Sequence, residues 1–246
     1  MHRFYLPNFQ QPVLTGAEAH HCRDVLRLKV GDEIEVFDGR GHAARCRITE
    51  AGRQAVRVQA FRHWDTPSVP CRITLAQAIP RKNMDLIVQK ATELGVTCIA
   101  PVISERTVKR VATNPARWHE IALESCKQCG NNWLPEIRPA QPLRDFLASV
   151  GGFDLKLAAS LQPGSRPLKA ILAEAAARRA PAADSGLAAT VLILIGPEGD
   201  FTADEYAAAQ AAGCEPLSLG PLVLRADTAA IYTLSILHHE LQVRMS

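Results

Sequence analysis

The sequence predicts an α/β protein that is built around a parallel β-sheet and preceded by a small β domain. Between residues 72 and 102, two apolar stretches flank a segment with helical periodicity, and this β-α-β order is the standard unit of a parallel sheet. Residues 190–195 form an unbroken, largely β-branched apolar run, as expected for a strand covered on both faces. Before residue 70, apolar and polar residues alternate instead, which is typical of half-buried antiparallel strands.

The β domain is predicted to begin with a short helix. Thr15 and Glu18 have the spacing of a capping box, so a helix should start there. The apolar residues that would share one face of this helix are Cys22, Val25 and Leu26. Two cations that would share another face, one turn apart, are Arg23 and Arg27.

Three strands follow this helix and predict a small β-barrel. Asp38-Gly39 is a hairpin signal between the first two strands. Short antiparallel strands joined by tight turns are typical of such barrels. The residues predicted to point inward are Ile34 and Val36, then Ala44, Cys46 and Ile48, then Val56, Val58 and Ala60.

The charge of the β domain is mildly positive. Residues 1–70 contain ten Lys and Arg against eight Asp and Glu, and nine of the ten cations are arginines. Arginine is the better residue for bidentate phosphate contacts, but a solvated barrel surface would have the same composition, and both interpretations stay open. The run His20-His21-Cys22 does not predict a metal site, because neighbouring helical residues point in different directions and no partner cluster follows.

Residues 66–70, which contain two prolines, are predicted to be a linker, and the part from 71 to 246 should alternate strands and helices. Lys90 and Glu93 are predicted to form an ion pair on the first helix. The predicted strands are Arg72–Ala78, Val96–Val102, Phe153–Ser160, Thr190–Ile195 and Pro216–Leu219. The predicted helices are one capped by Asn83 and ending at Gly95, one over Arg117–Cys129, a short one around 169–172, one from Thr202 to Gly213 with a Thr202/Glu205 capping box, and one capped by Asp227 and ending at Leu241.

Two glycine-bearing loops follow two of these strands. One is Gly196-Pro197-Glu198-Gly199, and the other begins at Gly220. A third loop that could contact a ligand is Ala158-Ala159-Ser160. Ligands of open α/β sheets bind at the carboxyl ends of the strands, although the same loops could be ordinary turns. No G-x-G-x-x-G and no P-loop lysine motif is present, which argues against the common dinucleotide and nucleotide sites.

Composition sets further limits. The chain has 246 residues, 47% of them apolar, with a net charge of +3 and seven cysteines. No apolar run approaches the roughly 18 residues of a membrane-spanning helix, and the N-terminus lacks the apolar stretch of a signal peptide, so we expect a cytoplasmic protein. Cys126 and Cys129 have CxxC spacing, but without a second pair we interpret them as structural thiols.

The combination of motifs is more specific than any one loop. GPEGDFT at 196–202 followed by LSLGPLVLRADTA at 217–229 resembles the C-terminal signature of the SPOUT methyltransferases. Within them the chain resembles the RsmE family, which methylates N3 of a uridine in bacterial 16S ribosomal RNA. Three further stretches agree: HRFYLP at 2–7, HHCRDVLRLKVGDEIEVFDGRG at 20–41 and QKATELGVTCIAPVISERTV at 89–108.

The resemblance implies a fold, a cofactor and partners. It implies an N-terminal PUA-like RNA-binding barrel over residues 1–70 and a SPOUT domain with a C-terminal trefoil knot over 71–246. It also implies S-adenosyl-L-methionine as the cofactor, 16S rRNA within the small ribosomal subunit as the substrate, a homodimer, and neither a metal nor a membrane partner. The surface proposed for dimerisation comprises Ala229, Ala230 and Leu234 on the last helix.

The resemblance also assigns residues. Arg225 is the expected cation near the uracil carbonyls or the phosphate, and Asp227 is a candidate base as well as a helix cap. The residues expected to bind the cofactor are Ala159, Ile195, Gly196, Pro197, Glu198, Gly199, Ser218, Leu219, Gly220, Leu224, Thr228 and Ala229. The residues expected to contact RNA are Arg3, Arg23, Arg27 and Arg106, the last beside Glu105 just beyond a strand end.

Three positions depart from the family pattern. Arginine is usual where this chain has Asn131, so a phosphate or substrate contact is in question there. A second glycine is usual in place of Asp200, and glutamate in place of Asp227, where RTETA becomes RADTA. Two alternatives therefore remain: a non-catalytic RNA-binding or ribosome-assembly protein that keeps the fold, or methylation of another RNA position.

Overall fold

The computed structural model describes residues 1–107, 113–178 and 190–242. It forms two compact units. The first comprises Met1–Ser68 together with Leu123–Leu134, and the second comprises Val69–Ala122 together with Pro135–Ser246. No sequence pattern indicated that 123–134 would join the first unit. The sequence also predicts a loose connection between the helix around 169–172 and the strand at 190, and its residues 179–189 lie outside the described residues.

The first unit contains a five-stranded sheet. Its elements are β1 (Arg3–Tyr5), β2 (Val13–Thr15), α1 (Gly16–His20), a π-helical turn (His21–Val25), β3 (Glu33–Phe37), β4 (His42–Ala51) and β5 (Ala55–Asp65). The strand order is β1-β3-β4-β5-β2; β1 runs parallel to β3 and the other pairs are antiparallel. The three predicted antiparallel strands are confirmed as β3, β4 and β5, with the hairpin at Asp38-Gly39. Seven of the eight residues predicted to point inward are fully or almost fully buried, and Ala60 is partly buried.

The first helix begins after Thr15 as predicted, but the predicted capping box is wrong. Thr15 makes no side-chain capping bond. The Glu18 carboxylate instead accepts a hydrogen bond from the Tyr5 backbone N–H at 3.1 Å and pairs with Lys127 at 2.7 Å. The π-helical turn then shifts the register, so that Val25 is 57% exposed while Cys22 is buried. The Glu18 carboxylate, which the capping box would use, is therefore bonded to Tyr5 and Lys127 instead of the start of the helix.

The second unit alternates strands and helices. Its strands are β6 (Arg72–Ala78), β7 (Cys98–Ile103), β8 (Glu136–Ile137), β9 (Gln141–Pro142), β10 (Leu155–Ala159), β11 (Arg166–Pro167), β12 (Thr190–Ile195) and β13 (Glu215–Ser218). Its helices are α2 (Met84–Glu93), α3 (Pro115–Cys129), α4 (Leu143–Leu147), α5 (Leu168–Arg178), α6 (Ala203–Ala211) and α7 (Ala226–Leu241). Helix α3 continues into the part of the chain that belongs to the first unit. The predicted Lys90–Glu93 ion pair on α2 is confirmed at 2.8 Å.

All strands of the second unit pair in parallel, as the sequence predicts. Their order is β11-β13-β10-β12-β6-β7-β8, with β9 also beside β7. The central strands β6 and β12 are buried on both faces, since Ile73–Ala78 and Val191–Ile195 are inaccessible to solvent. Because β13, β10, β12 and β6 are adjacent and parallel, their carboxyl ends lie along one edge of the sheet.

The two helices that follow β12 and β13 begin differently. The predicted capping box of α6 is confirmed: Thr202 Oγ1 accepts from Glu205 N, and the Glu205 carboxylate accepts from Thr202 N. Helix α7 is capped at the Arg225 position, not by Asp227, which lies inside the first turn. Asn83 likewise stands at the start of α2 without a capping bond. Both side chains bond to each other instead, as described below.

Helix α7 packs into its own unit. Ala230 and Leu234 are 0% and 1% exposed, and Ala229 is 8% exposed, so the predicted dimer surface is wrong because these side chains face the core of the same chain. The Gln242 side-chain amide secures the end of the helix by donating to Cys71 O at 2.8 Å and Gly95 O at 3.1 Å. Among the described residues, no helix is long and apolar enough to cross a membrane.

The two capping-box predictions supply a matched test of stability. Thr202→Ala should lower the free energy of unfolding by about 1 kcal/mol, because the Glu205 N–H loses its acceptor. Thr15→Ala should change it little, since Thr15 forms no capping bond. Urea unfolding followed by circular dichroism measures both variants. Equal losses for the two would show that the loss in Thr202→Ala does not come from the capping bond.

Candidate functional site

A cavity of about 550 Å³, including its open mouth, lies at the edge where the carboxyl ends of the central strands meet. It is lined by three loops, which follow β10, β12 and β13, and by the start of α7. The lining residues are Ala159, Ser160, Leu161, Ile195, Gly196, Pro197, Glu198, Asp200, Tyr206, Leu219, Leu222, Val223, Leu224, Ala226 and Ala229. The lining is mainly apolar, and its charged side chains are carboxylates.

The structure brings together most of the residues that the resemblance assigned to the cofactor. Those in the lining are Ala159, Ile195, Gly196, Pro197, Glu198, Leu219, Leu224 and Ala229. Those outside it are Gly199, Ser218, Gly220 and Thr228. The lining residues with no earlier assignment include Asp200 and Tyr206. Their signal in the sequence is position, because Asp200 directly follows the Gly196–Gly199 loop and Tyr206 lies near the start of α6, which begins just after that loop.

Glu198 fixes the loop that follows β12. Its two carboxylate oxygens accept the backbone N–H of Arg81 at 2.9 and 3.0 Å, so the loops after β12 and β6 are joined. Arg106 supports the same loop by donating from Nη1 to Gly199 O at 2.7 Å. A Cβ at Gly199 would lie 3.4 Å from the Arg106 side chain, which is ordinary van der Waals contact, so Arg106 packs directly against this part of the loop.

Asp200 occupies a left-handed backbone conformation beside the cavity, with φ of 61°. Its Oδ1 accepts the backbone N–H of Phe201 at 2.8 Å and the hydroxyl of Tyr206 at 2.6 Å. The Tyr206 oxygen also lies 3.1 Å from Ala159 O, but a single hydroxyl proton serves one of these acceptors at a time. Burial, together with the hydrogen bond to Asp200, raises the pKa of Tyr206, so the hydroxyl stays protonated at neutral pH.

A second cavity of about 520 Å³ adjoins the first and shares Glu198 and Ala226 with it. Its charge is different. The residues that line it are Pro80, Arg81, Lys82, Asn83, Glu198, Arg225, Ala226 and Asp227. Three cations therefore surround a cavity that also contains two carboxylates. Arg81 and Lys82 had no functional assignment from the sequence.

Asp227 is held at this second cavity by hydrogen bonds. Its Oδ2 accepts from Asn83 Nδ2 at 2.8 Å, and its Oδ1 accepts from Thr228 N at 2.8 Å. The bond from Asn83 is the main reason that the pKa of Asp227 lies below its usual range. Asp227 is therefore a carboxylate at neutral pH, and a weaker base than an unperturbed aspartate.

The four arginines assigned to RNA have different environments. Arg3 is 10% exposed at its side chain and is fully engaged: it pairs with Glu35 at 2.7 Å, donates to Cys126 O at 2.7 Å and to Asn132 Oδ1, and stacks on Phe37. This network holds 123–134 against the sheet of the first unit. The geometry makes Arg3 a structural residue, because a buried charge needs these partners.

The other three arginines are more accessible. Arg23 donates to Asp24 and to the carbonyls of Gly52 and Arg53, so its guanidinium is occupied by the chain itself. Arg106 supports Gly199, as described above. Arg27 is exposed, has a positive φ of 56°, and forms no side-chain bond within the described part of the chain. Of the four, Arg27 is the one whose guanidinium is free for an external phosphate.

The cysteine and histidine motifs form no site in the described regions. Cys126 is buried, Cys129 is exposed, and both are free thiols. No group of three or more His, Cys, Asp or Glu side chains that could hold a metal occurs in residues 1–107, 113–178 and 190–242.

Asn131 stands where the family usually has arginine, and Arg138 is a nearby arginine. The Asn131 side chain accepts the Trp133 N–H at 2.9 Å, and Arg138 pairs with Glu136 at 3.3 Å. Neither residue lines either of the two cavities.

The chain thus has a small β domain followed by a parallel α/β domain with a loop-lined cavity. Comparison of the chain with known families defines its class. Residues 67–238 match the RNA methyltransferase domain family, and residues 14–61 match the RNA methyltransferase PUA domain family. The chain is therefore an RNA methyltransferase by its domain architecture. More particularly, it belongs to the ribosomal RNA small subunit methyltransferase E (RsmE) family.

Individual relatives support this placement. The ribosomal RNA small subunit methyltransferase E of Synechocystis is 32% identical over 90% of this chain and 71% of its own length. The Bacillus subtilis protein of the same name is 26% identical over 99% and 98% of the two chains. The crystal structure of the Neisseria gonorrhoeae protein of that name, bound to S-adenosylmethionine, matches with a TM-score of 0.84, 31% identity and 98% coverage of both chains.

The Asn83–Asp227 bond predicts a pH effect. Asn83→Gly removes the amide but keeps the left-handed backbone, which has φ of 69°, and should raise the pKa of Asp227 towards its ordinary value. A depressed pKa stabilises the fold above the unfolded-state pKa of about 3.9, and this stability is lost as pH falls through the folded pKa. The pH-dependent part of the stability difference between wild type and variant should thus be largest near neutral pH and vanish in acid. NMR titration of the Asp227 carboxyl measures the shift, and an unchanged pKa would contradict it.

Proposed function

We propose that this protein is a cytoplasmic S-adenosyl-L-methionine-dependent methyltransferase that methylates N3 of a uridine in 16S ribosomal RNA. Family membership supports rRNA methylation, and the bound cofactor in the Neisseria protein supports the choice of methyl donor. The observation that carries the proposal is the pair of adjoining cavities. The first is mainly apolar with two carboxylates, the second is lined by three cations and two carboxylates, and Glu198 and Ala226 belong to both.

The first cavity has the properties that this cofactor requires. It is concave, mainly apolar and placed at the carboxyl ends of parallel strands, as small-molecule sites usually are. Ile195, Leu219 and Leu224 offer apolar surface for an adenine ring, and the loop backbones offer N–H and C=O groups for its edges. The carboxylates of Glu198 and Asp200 suit the positive charges of a sulfonium and an ammonium group.

The second cavity is suited to the target nucleotide. Arg81, Lys82 and Arg225 provide cations for a phosphate or for uracil carbonyl oxygens. A base extruded into this cavity would lie beside the first one, because the two share a wall. Methyl transfer requires this adjacency, since donor and acceptor have to meet.

Two residues of the second cavity, Arg225 and Asp227, have roles that follow from their charge. S-adenosylmethionine supplies an electrophilic methyl group on its sulfonium. Uridine N3 carries an imide proton, which has to leave as this nitrogen becomes a nucleophile. Arg225 stabilises the negative charge that then develops on the uracil carbonyls. Asp227 is the candidate acceptor of the proton, but its lowered pKa makes it a weak base, so stabilisation by Arg225 is the larger contribution.

The domains have separate roles in this proposal. Residues 1–70 act as a PUA-like RNA-binding barrel, with Arg27 as a phosphate contact, and residues 71–246 act as the methyltransferase domain. We also propose that the C-terminal segment forms a trefoil knot. Membership of the RNA methyltransferase domain family supports this proposal, and the chain after β13 returns to the cavity that Ile195 lines, where α7 begins.

A homodimer completes the proposal. Leu222 and Val223 line the first cavity yet are 72% and 79% exposed, and Tyr232 on α7 is 46% exposed. Large apolar side chains with this exposure favour an interface. A second copy that covers Leu222 and Val223 would close the cavity and exclude water from it.

The function is tested by transfer of a labelled methyl group. The purified protein and S-adenosylmethionine should methylate 16S rRNA, free or in small subunits, from a strain that lacks the corresponding gene. Mass analysis of nuclease fragments, compared with a synthetic N3-methyluridine standard, locates the methyl group. Absence of transfer to both substrates, or a methyl group on another atom, would refute the proposed reaction.

Two arginine variants separate catalysis from docking. Arg225→Ala should lower the rate at saturating RNA and cofactor on the order of a hundredfold, because transition-state charge loses its partner. Arg27→Ala should leave that saturated rate unchanged, weaken RNA binding and reduce the log–log salt slope by about one. A salt series of binding and rate measurements tests both. If Arg225→Ala affects only the RNA concentration required, Arg225 is a docking residue.

The oligomeric state has a direct test. Sedimentation at micromolar concentration should give twice the chain mass of 26.8 kDa for the wild type. Tyr232→Glu should shift the protein towards monomer, because it places a charge in an exposed apolar position on α7. A monomeric wild type would contradict the dimer, and a fully dimeric Tyr232→Glu variant would place the interface elsewhere.

A further inference from the structure

The carboxylates of the first cavity are not equivalent. Both oxygens of Glu198 accept the Arg81 N–H, and Glu198 also lines the cavity that contains Arg81, Lys82 and Arg225. Its charge is therefore partly balanced. Asp200 lines the first cavity but not the second. The lining of the first cavity contains no Lys, Arg or His. Its Oδ1 is occupied by Tyr206 and Phe201, whereas Oδ2 forms no hydrogen bond with the described residues.

The backbone at Asp200 would suit glycine better. With φ of 61° the residue is in the left-handed region, where a side chain is unfavourable and asparagine or aspartate is tolerated best. Its Oδ1 also lies close to Gly196, where a Cβ would be 3.2 Å from this oxygen. Gly196 thus leaves room for the carboxylate, and Tyr206 orients it. The chain therefore carries an oriented carboxylate at a backbone position where glycine would be more favourable.

We propose that Asp200 makes the first cavity selective for the charged sulfonium cofactor over its neutral thioether product, S-adenosylhomocysteine. This inference rests on the proposed function. The two molecules carry the same ammonium and carboxylate groups, so they differ by the methyl group and by one positive charge. A carboxylate with no cation in the same cavity lining favours the more positive molecule by Coulomb attraction, which amounts to a factor on the order of ten in a partly solvated cavity.

The consequence for turnover concerns product release. Methyl transfer removes the positive charge from the sulfur, so the attraction to Asp200 is lost when the reaction is complete. The product then binds more weakly than the donor, and inhibition by accumulated product is reduced. Asp200 acts here as a specificity residue in the cofactor cavity and takes no part in bond making.

Asp200→Asn isolates the charge. Asparagine has the same shape, tolerates the left-handed backbone, and keeps an oxygen that can accept from Tyr206 and Phe201. Isothermal titration of the full-length protein gives Kd for S-adenosylmethionine, S-adenosylhomocysteine and an analogue with an ammonium-bearing carbon in place of the sulfonium. The ratio of Kd for the thioether to Kd for the sulfonium should fall about three- to tenfold in the variant, and the ammonium analogue should lose affinity as the sulfonium does.

Two controls make the result decisive. Asp204→Asn removes the same charge from an exposed residue of α6 outside the cavity and should leave the ratio unchanged. Asp200→Gly relieves the backbone conformation and should give the same fall in the ratio as Asp200→Asn. An unchanged ratio in Asp200→Asn, an equal loss of affinity for all three ligands, or the same fall in Asp204→Asn would each overturn the proposal. A wild type that binds none of the ligands would refute the proposed cofactor itself, which distinguishes the two failures.

Discussion

The site depends on one constraint, the clamp that the Glu198 carboxylate forms on the Arg81 backbone N–H. The two loops that it joins follow adjacent parallel strands, β12 and β6, so a single side chain can span them. These hydrogen bonds lie at the wall shared by the mainly apolar cavity and the cavity that contains three cations. In the proposed function, this wall gives the sulfonium donor and the anionic RNA separate environments.

The parts of the fold that the sequence predicts best are those determined by neighbours in the chain. The bounds of β6 and β12 agree with their apolar runs, because burial on both faces leaves little choice of residue. The capping box of α6 is also local, since Thr202 and Glu205 satisfy each other. The same spacing at Thr15 and Glu18 fails, because Tyr5 and Lys127 compete for the carboxylate from elsewhere in the chain.

The candidate site shows the same division. The glycine loops and the edge of the sheet follow from strand order, and they correctly indicate the cavity around Gly196 and Leu224. Roles that depend on a distant partner could not be predicted. Asp227 has the spacing of a helix cap but bonds to Asn83, and Arg3 has the charge of a phosphate ligand but is 10% exposed among protein partners. Counting arginines cannot distinguish a free guanidinium from an occupied one.

The first unit is built from two separate segments of the chain, and this has a consequence for protein synthesis. Arg3 and Phe37 are near the beginning of the chain, but their partners Cys126 and Asn132 lie in 123–134, after a long part of the other unit. A ribosome that has released only the first 68 residues has therefore released an incomplete domain, with the guanidinium of Arg3 lacking two of its acceptors. The contacts of Arg3 with Cys126 and Asn132 can form only after the chain has been made as far as residue 132.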